Sequence, residues 1–192
     1  MRASESRASC GCSPATVLSV SWISDVATVH VLMADYASID QSGKLNVIGG
    51  GISIVAAPTG AALTSSFYLM VFISVPADAR SQKFVVGVSL TDGSGAIVTA
   101  PGEAKHPLVD VSQPVEFARP EIPAHYLFPD VGRLNELLKG RLQLVTGFPV
   151  GLPLASGRGY EWRIALDGVT RDEWVHRFVV AEQGGSRLPS SA

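Results

Sequence analysis

Hydrophobic residues occur in short runs along most of this chain, and turn-forming residues separate the runs. Residues 67–75 are apolar apart from Ser74 and are followed by Pro76, which is the pattern of a central strand buried on both faces. Residues 83–90 instead carry an apolar side chain at every second position, as a strand buried on one face does. Short apolar runs bounded by Gly, Pro, Asp and Ser are typical of an all-β protein.

The clearest alternation of apolar and polar side chains lies towards the C-terminal end of the chain. Residues 160–166 have a large apolar side chain at every second position, and Glu161 and Arg163 share the opposite face. The Asp-Gly pair at 167–168 predicts a hairpin turn, and residues 174–180 predict the returning strand.

Two further turns and one helix complete the predicted elements. The turns are the Asp-x-Ser-Gly sequences at 40–43 and 92–95, in which the glycine can take a positive φ. The helix is residues 133–139, which Gly140 ends. Together these elements predict an antiparallel, immunoglobulin-like β-sandwich of about seven or eight strands with one short helix.

The pattern changes character at Met33. Residues 33–182 read as the β-domain, residues 1–32 as an extension outside the domain, and the Gly/Ser-rich residues 183–192 as a disordered tail. We favour a natural translation start at Met33, with the extension explained by an early start assignment. A weak export signal is the second interpretation, and an ordered strand at 28–32 is the third.

Both cysteines, Cys10 and Cys12, lie in the extension. The domain after Met33 therefore has no cysteine, which excludes a disulfide-stapled scaffold and a cysteine-based metal site or nucleophile there. The predicted location is the cytoplasm or a virion, with export left open.

Composition narrows the classes of partner. Charged residues make up 17% of the 192 residues, against roughly 25% in typical soluble domains. Either partners cover part of the surface, or the nearly uncharged extension lowers the average. The net charge of −2 gives no concentrated basic face for nucleic acid. The longest apolar run is far shorter than the roughly 20 residues that cross a bilayer. We therefore expect neither a nucleic-acid nor a membrane partner.

No motif in the sequence has the spacing of a catalytic, cofactor or metal site. Asp172, Glu173 and His176 come nearest to a cluster of metal ligands. Glu173 and His176 are three residues apart, however, and on a strand such residues point to opposite faces. The three glycines at 49–51 lack the spacing of a nucleotide-binding loop, and a strand bulge or a close backbone approach explains them better. The sequence thus predicts no enzyme, no catalytic residue, no cofactor and no metal.

The best candidate for contact with a partner or ligand is the loop sequence Tyr126-Leu127-Phe128, which lies between Pro123 and Pro129. Large apolar side chains on a restricted loop lose little entropy on binding. The alternative, which we favour slightly, is that this loop folds back and plugs one open end of the sandwich.

Three segments carry a resemblance to a known family. They are Met33-Ala-Asp-Tyr-Ala37, residues 43–51 (Gly-Lys-Leu-Asn-Val-Ile-Gly-Gly-Gly), and the closing hairpin Tyr160-x-Trp-x-Ile-x-Leu-Asp-Gly168 with Phe178-x-Val180. Over roughly residues 33–181 the chain resembles an uncharacterised family of small β-sandwich proteins from actinobacteria and their phages. The resemblance implies the sandwich fold and a start near Met33, and no assigned activity. The chain departs from the family pattern at Ile52, where an aromatic residue is expected, and in the segment before Tyr160, residues 157–159, which is longer than in the family.

These observations lead to two functional hypotheses. The first is a non-enzymatic structural module that acts by protein–protein association, with itself or in a larger assembly. Its specific version is a phage virion subunit that decorates the capsid or belongs to the tail. The alternative is a small-molecule or carbohydrate-binding module that uses the Pro-rich aromatic loop.

Overall fold

The computed structural model describes residues 22–102, 106–117 and 138–183, and these ranges contain a short helix and ten strands. The helix α1 spans Ile23–Val26, and a 3-10 turn spans Ala77–Ser81. The strands are β1 (Thr28–Ala34), β2 (Tyr36–Ile39), β3 (Leu45–Ile48), β4 (Ile54–Pro58), β5 (Phe67–Val75), β6 (Lys83–Asp92), β7 (Asp110–Glu116), β8 (Gly140–Phe148), β9 (Arg158–Leu166) and β10 (Val169–Gln183).

The strands form three sheets, so the all-β prediction is confirmed. A three-stranded sheet has the order β1-β5-β8, a curled five-stranded sheet has the order β4-β10-β9-β6-β7, and β2 and β3 form a separate hairpin. The expectation of a wholly antiparallel fold is wrong at one pair, because β10 and β4 run parallel, with Val180 opposite Val55. Strand β10 is 15 residues long, and its last five residues pair with β4 on the edge opposite to β9.

The strands with the strongest sequence patterns lie where they were predicted. Strand β5 is the middle strand of the three-stranded sheet, and its side chains are buried or half-buried on both faces. The large apolar residues of β9 all point inward, and Trp162 is fully buried. Its ring lies 6.5 Å from Phe67 of the other sheet and 6.2 Å from Phe178, between ring centroids. The two larger sheets therefore share one apolar core.

Strand β1 runs through the predicted domain boundary at Met33. Residues Thr28–Ala34 pair with β5 in one continuous antiparallel register, and Ile23 and Val29 are 1% and 4% exposed. Residues 29, 31 and 33 occupy alternate positions of the strand, so their three side chains lie on its inner face. The ordered strand, which was the third sequence interpretation, is the one observed. The boundary at Met33 is corrected accordingly, and the folded body includes residues before it.

The glycines at 49–51 form the turn between β3 and β4 rather than a bulge within a strand. Gly49 and Gly51 have φ of +64° and +89°, a region that favours glycine. The N–H of Gly51 donates to the carbonyl of Met33 at 2.9 Å, which is a close backbone approach.

Both Asp-x-Ser-Gly turns have the same construction. In the turn between β2 and β3, one carboxylate oxygen of Asp40 accepts bonds from the N–H and hydroxyl of Ser42 and from the N–H of Lys44. Asp92 accepts the equivalent three bonds from Ser94 and Ala96. The hydrogen bonds from the serine hydroxyls hold the pKa of each aspartate below its usual range.

The hairpin of β2 and β3 lies against the outer face of the three-stranded sheet. Ala34, Ala37 and Met70 are buried there and form a second, smaller apolar cluster. The ring of Tyr36 meets the ring of Tyr68 edge-on, with centroids 5.2 Å apart. In the described ranges no helix has the length and apolar character needed to span a bilayer.

Candidate functional site

The predicted contact residues Tyr126, Leu127 and Phe128 lie outside the described residues, so their role stays a prediction. Most of the predicted helix at 133–139 also lies outside them. Leu138 and Lys139, the end of that predicted helix, are described and are not helical.

The structure does not bring Asp172, Glu173 and His176 together. Glu173 is exposed and lies 3.9 Å from Arg171, measured between Oε1 and Nη1. His176 lies opposite Trp162 in the inward-facing register, and its Nε2 is 3.3 Å from the carbonyl oxygen of Ile52. Across residues 22–102, 106–117 and 138–183, no three side chains of metal-ligating type form a group.

The hairpin of β2 and β3 presents an apolar surface to solvent. Four of its eight strand residues are large, apolar and exposed, and we name them the hairpin surface. They are Tyr36 (45% exposed), Ile39 (45%), Val47 (38%) and Ile48 (65%). By register, Tyr36 and Ile48 share one face of the hairpin, and Ile39 and Val47 share the other. Apolar exposure concentrated on one small element marks an interaction surface more often than scattered single residues do.

The same hairpin lacks the usual protection of free strand edges. None of its eight strand positions carries a charge, although Asp35, Asp40 and Lys44 flank them. Among the strands that the structure describes, β2 and β3 pair only with each other, so there each has an open edge of backbone N–H and C=O groups. Free edges are normally blunted by charged residues or Pro, since they template pairing with another chain.

A small apolar crevice opens between the edge strands β7 and β8. Its volume is about 130 Å3, and inward-facing side chains of both larger sheets form its walls. Val111 of β7 belongs to the inner face by register but is 52% exposed. Residues 118–137, which connect these two strands, lie outside the described ranges, and we assign the crevice no function.

The outer face of the five-stranded sheet carries a group of charged side chains at the centre of β9 and β10. The side chain of Glu161 is only 12% exposed, and its carboxylate lies between two arginines. It accepts bonds from Nη2 of Arg163 at 2.5 Å and from Nε of Arg177 at 2.9 Å. The Nε of Arg163 also donates to the hydroxyl of the buried Thr91, at 3.2 Å. Although partial burial acts to raise it, these arginine bonds hold the pKa of Glu161 below its ordinary value.

A hollow adjoins this charged group on the same face, and its volume is about 510 Å3. Gly159 and Gly93 lie at its base and contribute no side chains, while Ile54 and Val179 form apolar walls. The exposed side chain of Arg177 forms part of the border.

Sequence reasoning placed Glu161 and Arg163 on one strand face but did not find this group. Arg177 joins them only through the register that sets it opposite Glu161. Thr91 joins through the register between β6 and β9. The sequence predicted the hairpin turn at 167–168 but not the register shift between Thr170 and Val175. Counting residues outward from the turn therefore could not predict that Arg177 lies opposite Glu161.

Comparison with known proteins adds no relative. No family model matches the chain, and no curated protein is significantly similar to it, so the resemblance to the actinobacterial and phage family stays a prediction.

Proposed function

We propose that this protein is a non-enzymatic interaction module that acts by protein–protein association through the hairpin surface. The observation that carries the proposal is the exposure of four large apolar side chains on a hairpin that has no charge at its eight strand positions and two open edges among the described strands. Self-association is the version that can be tested without knowing a partner.

Two contributions to the free energy of binding support association at the hairpin surface. Removing apolar surface from water yields roughly 25 cal/mol per Å2, and Ile48 alone is 65% exposed. The open edges add backbone hydrogen bonds without desolvating any charged side chain of the two strands.

The hairpin is also held in shape before it binds. The three bonds to Asp40 order its turn, and the contact between Tyr36 and Tyr68 anchors its base to the sheet below. A preordered surface loses less conformational entropy on binding than a mobile one does.

The test is the effect of one charge on oligomeric state. Sedimentation velocity of the wild type, from micromolar to near-millimolar concentration, should give a mass that rises above the monomer's 20.2 kDa. Ile48→Lys should weaken association at least about tenfold, because burying an unpaired ammonium costs more than about 1.4 kcal/mol. Ile97→Lys is the matched control, since Ile97 is 48% exposed and lies beside Thr91 of β6, in the five-stranded sheet.

The control should associate as the wild type does. A wild type that sediments as a monomer at every concentration contradicts the self-association proposed here. Equal weakening by both lysine variants would show that the effect is general charge repulsion and not loss of the hairpin surface.

We further propose that the two larger sheets are the layers of an immunoglobulin-like sandwich. Their shared core supports this, while the curl of the five-stranded sheet and its parallel pair are departures from the usual form. The more specific role of a phage virion subunit rests on the family resemblance alone. An electron micrograph of virions labelled with an antibody against this chain would test that role.

A further inference from the structure

We infer that the hollow above Gly159 binds a small organic anion, with its carboxylate on Arg177 and an apolar group between Ile54 and Val179. This site lies on the outer face of the five-stranded sheet and is independent of the hairpin surface.

Arg177 is oriented for such a ligand. Its Nε bonds to Glu161, and in the described part of the chain its two terminal nitrogens have no hydrogen-bond partner. The side chain is 67% exposed, so the N–H groups on the far edge of the guanidinium are accessible. That edge presents two parallel donors, which match the two oxygens of a carboxylate.

The local charge balance favours an anion. Glu161 is matched by Arg163 and Arg177 together, which leaves one positive charge in excess. Asp92, which precedes Gly93 of the hollow in the sequence, lies within electrostatic reach of Arg158. Because the arginine bonds keep the pKa of Glu161 low, this carboxylate stays ionised at neutral pH and continues to hold Arg177 in position.

The shape and lining select an organic anion over an inorganic one. Gly159 has no side chain, and the nearest atom to a β-carbon built there is the carbonyl oxygen of Phe178, 3.9 Å away. The missing side chain leaves room between Val179 on the neighbouring strand and Gly93. The volume of about 510 Å3 falls in the range of small-molecule pockets, and Ile54 and Val179 supply apolar walls.

The experiment titrates 15N-labelled full-length protein with phenylacetate and, separately, with phenylacetamide and inorganic phosphate. Phenylacetate should give saturable shifts of the backbone amides of Gly93, Gly159 and Arg177. Phenylacetamide has the same shape without the charge, and phosphate has the charge without the apolar group, so each should bind at least about tenfold more weakly.

Three variants separate the parts of the site. Arg177→Gln should weaken phenylacetate binding at least about tenfold. Gly159→Val should abolish it by filling the hollow, and the space at Gly159 leaves the fold intact. Lys83→Gln is the control, because Lys83 is an exposed cation on another strand, paired with Glu116, and its loss should change nothing.

Several results would overturn the inference. They are no saturable shift with phenylacetate, equal binding of phenylacetate and phenylacetamide, and unchanged binding in Arg177→Gln. If Gly159→Val fails to fold, Arg177→Gln still decides the matter, because it alters only an exposed side chain. Stronger binding of phosphate than of phenylacetate would overturn the claim that the ligand carries an apolar group.

Discussion

The backbone N–H of Gly51 donates a hydrogen bond to the carbonyl oxygen of Met33, 2.9 Å away. The N–H of Ile52 reaches the same oxygen at 3.2 Å. Two segments that stood out separately in the sequence, the internal methionine and the glycine run, are therefore directly bonded. Met33 is not the start of the folded body but the sixth residue of a strand that holds the turn after β3 in place.

Deletion of residues 1–32 should destabilise the protein severely. The shortened chain loses most of β1, and with it Ile23 and Val29 from the core. Losing one buried aliphatic side chain costs about 2–5 kcal/mol, so the two together approach the whole stability of a typical domain. Urea unfolding followed by circular dichroism would measure the loss. Deletion of residues 1–21 removes none of the described elements and is the control; equal stability of the two deletions would contradict this prediction.

Gly151→Ala should be far more damaging than Gly60→Ala. Both glycines have φ near +75°, so both substitutions strain the backbone by about 1–2 kcal/mol. A β-carbon at Gly151 would also overlap the backbone carbonyl of Thr64. A β-carbon at Gly60 would have no other atom within 4 Å. We expect a difference of at least about 2 kcal/mol between the two variants in chemical unfolding. A smaller difference would mean that the loop at Thr64 moves aside.

Acid should remove the stabilisation that Glu161 provides. Because the pKa of Glu161 is lower in the folded protein than its ordinary 4.5, its ionised form stabilises the fold above that value. The contribution falls as pH drops through the folded pKa, when protonation breaks the pairing with Arg163 and Arg177. Unfolding midpoints measured from neutral pH downwards should therefore fall less steeply in Glu161→Gln than in the wild type.

The control for this pH series is Glu116→Gln, whose carboxylate is 66% exposed in a surface pair with Lys83. Such pairs contribute little, so this variant should keep the wild-type acid slope. An unchanged slope in Glu161→Gln would show that the charged group on the outer face is not coupled to folding.

Local patterns in the sequence were enough to place individual elements. The period of two is a property of one strand, so the alternation in residues 160–166 gave the inner face of β9 without knowledge of its neighbours. The Asp-x-Ser-Gly turns were predictable for the same reason, because the bonds of Asp40 and Asp92 reach no further than four residues. The almost entirely apolar run in 67–75 likewise identified the middle strand of a sheet.

Relations between distant segments were decided only by the tertiary structure. The strand at 28–34 has a weak pattern of its own, and it forms because β5 offers it a full antiparallel partner. The parallel pairing of β10 with β4 joins two strands that lie far apart in the sequence. The meeting of Glu161 with Arg177 depends on a register shift within the closing hairpin.

The sequence by itself thus determined that the protein is all-β, where most strands and turns lie, and which faces are apolar. The structure decided which strands pair, which apolar face stays exposed, and which charged side chains meet. The physical reason is that burial pattern and turn chemistry act over a few residues, whereas strand register is set by the whole core at once.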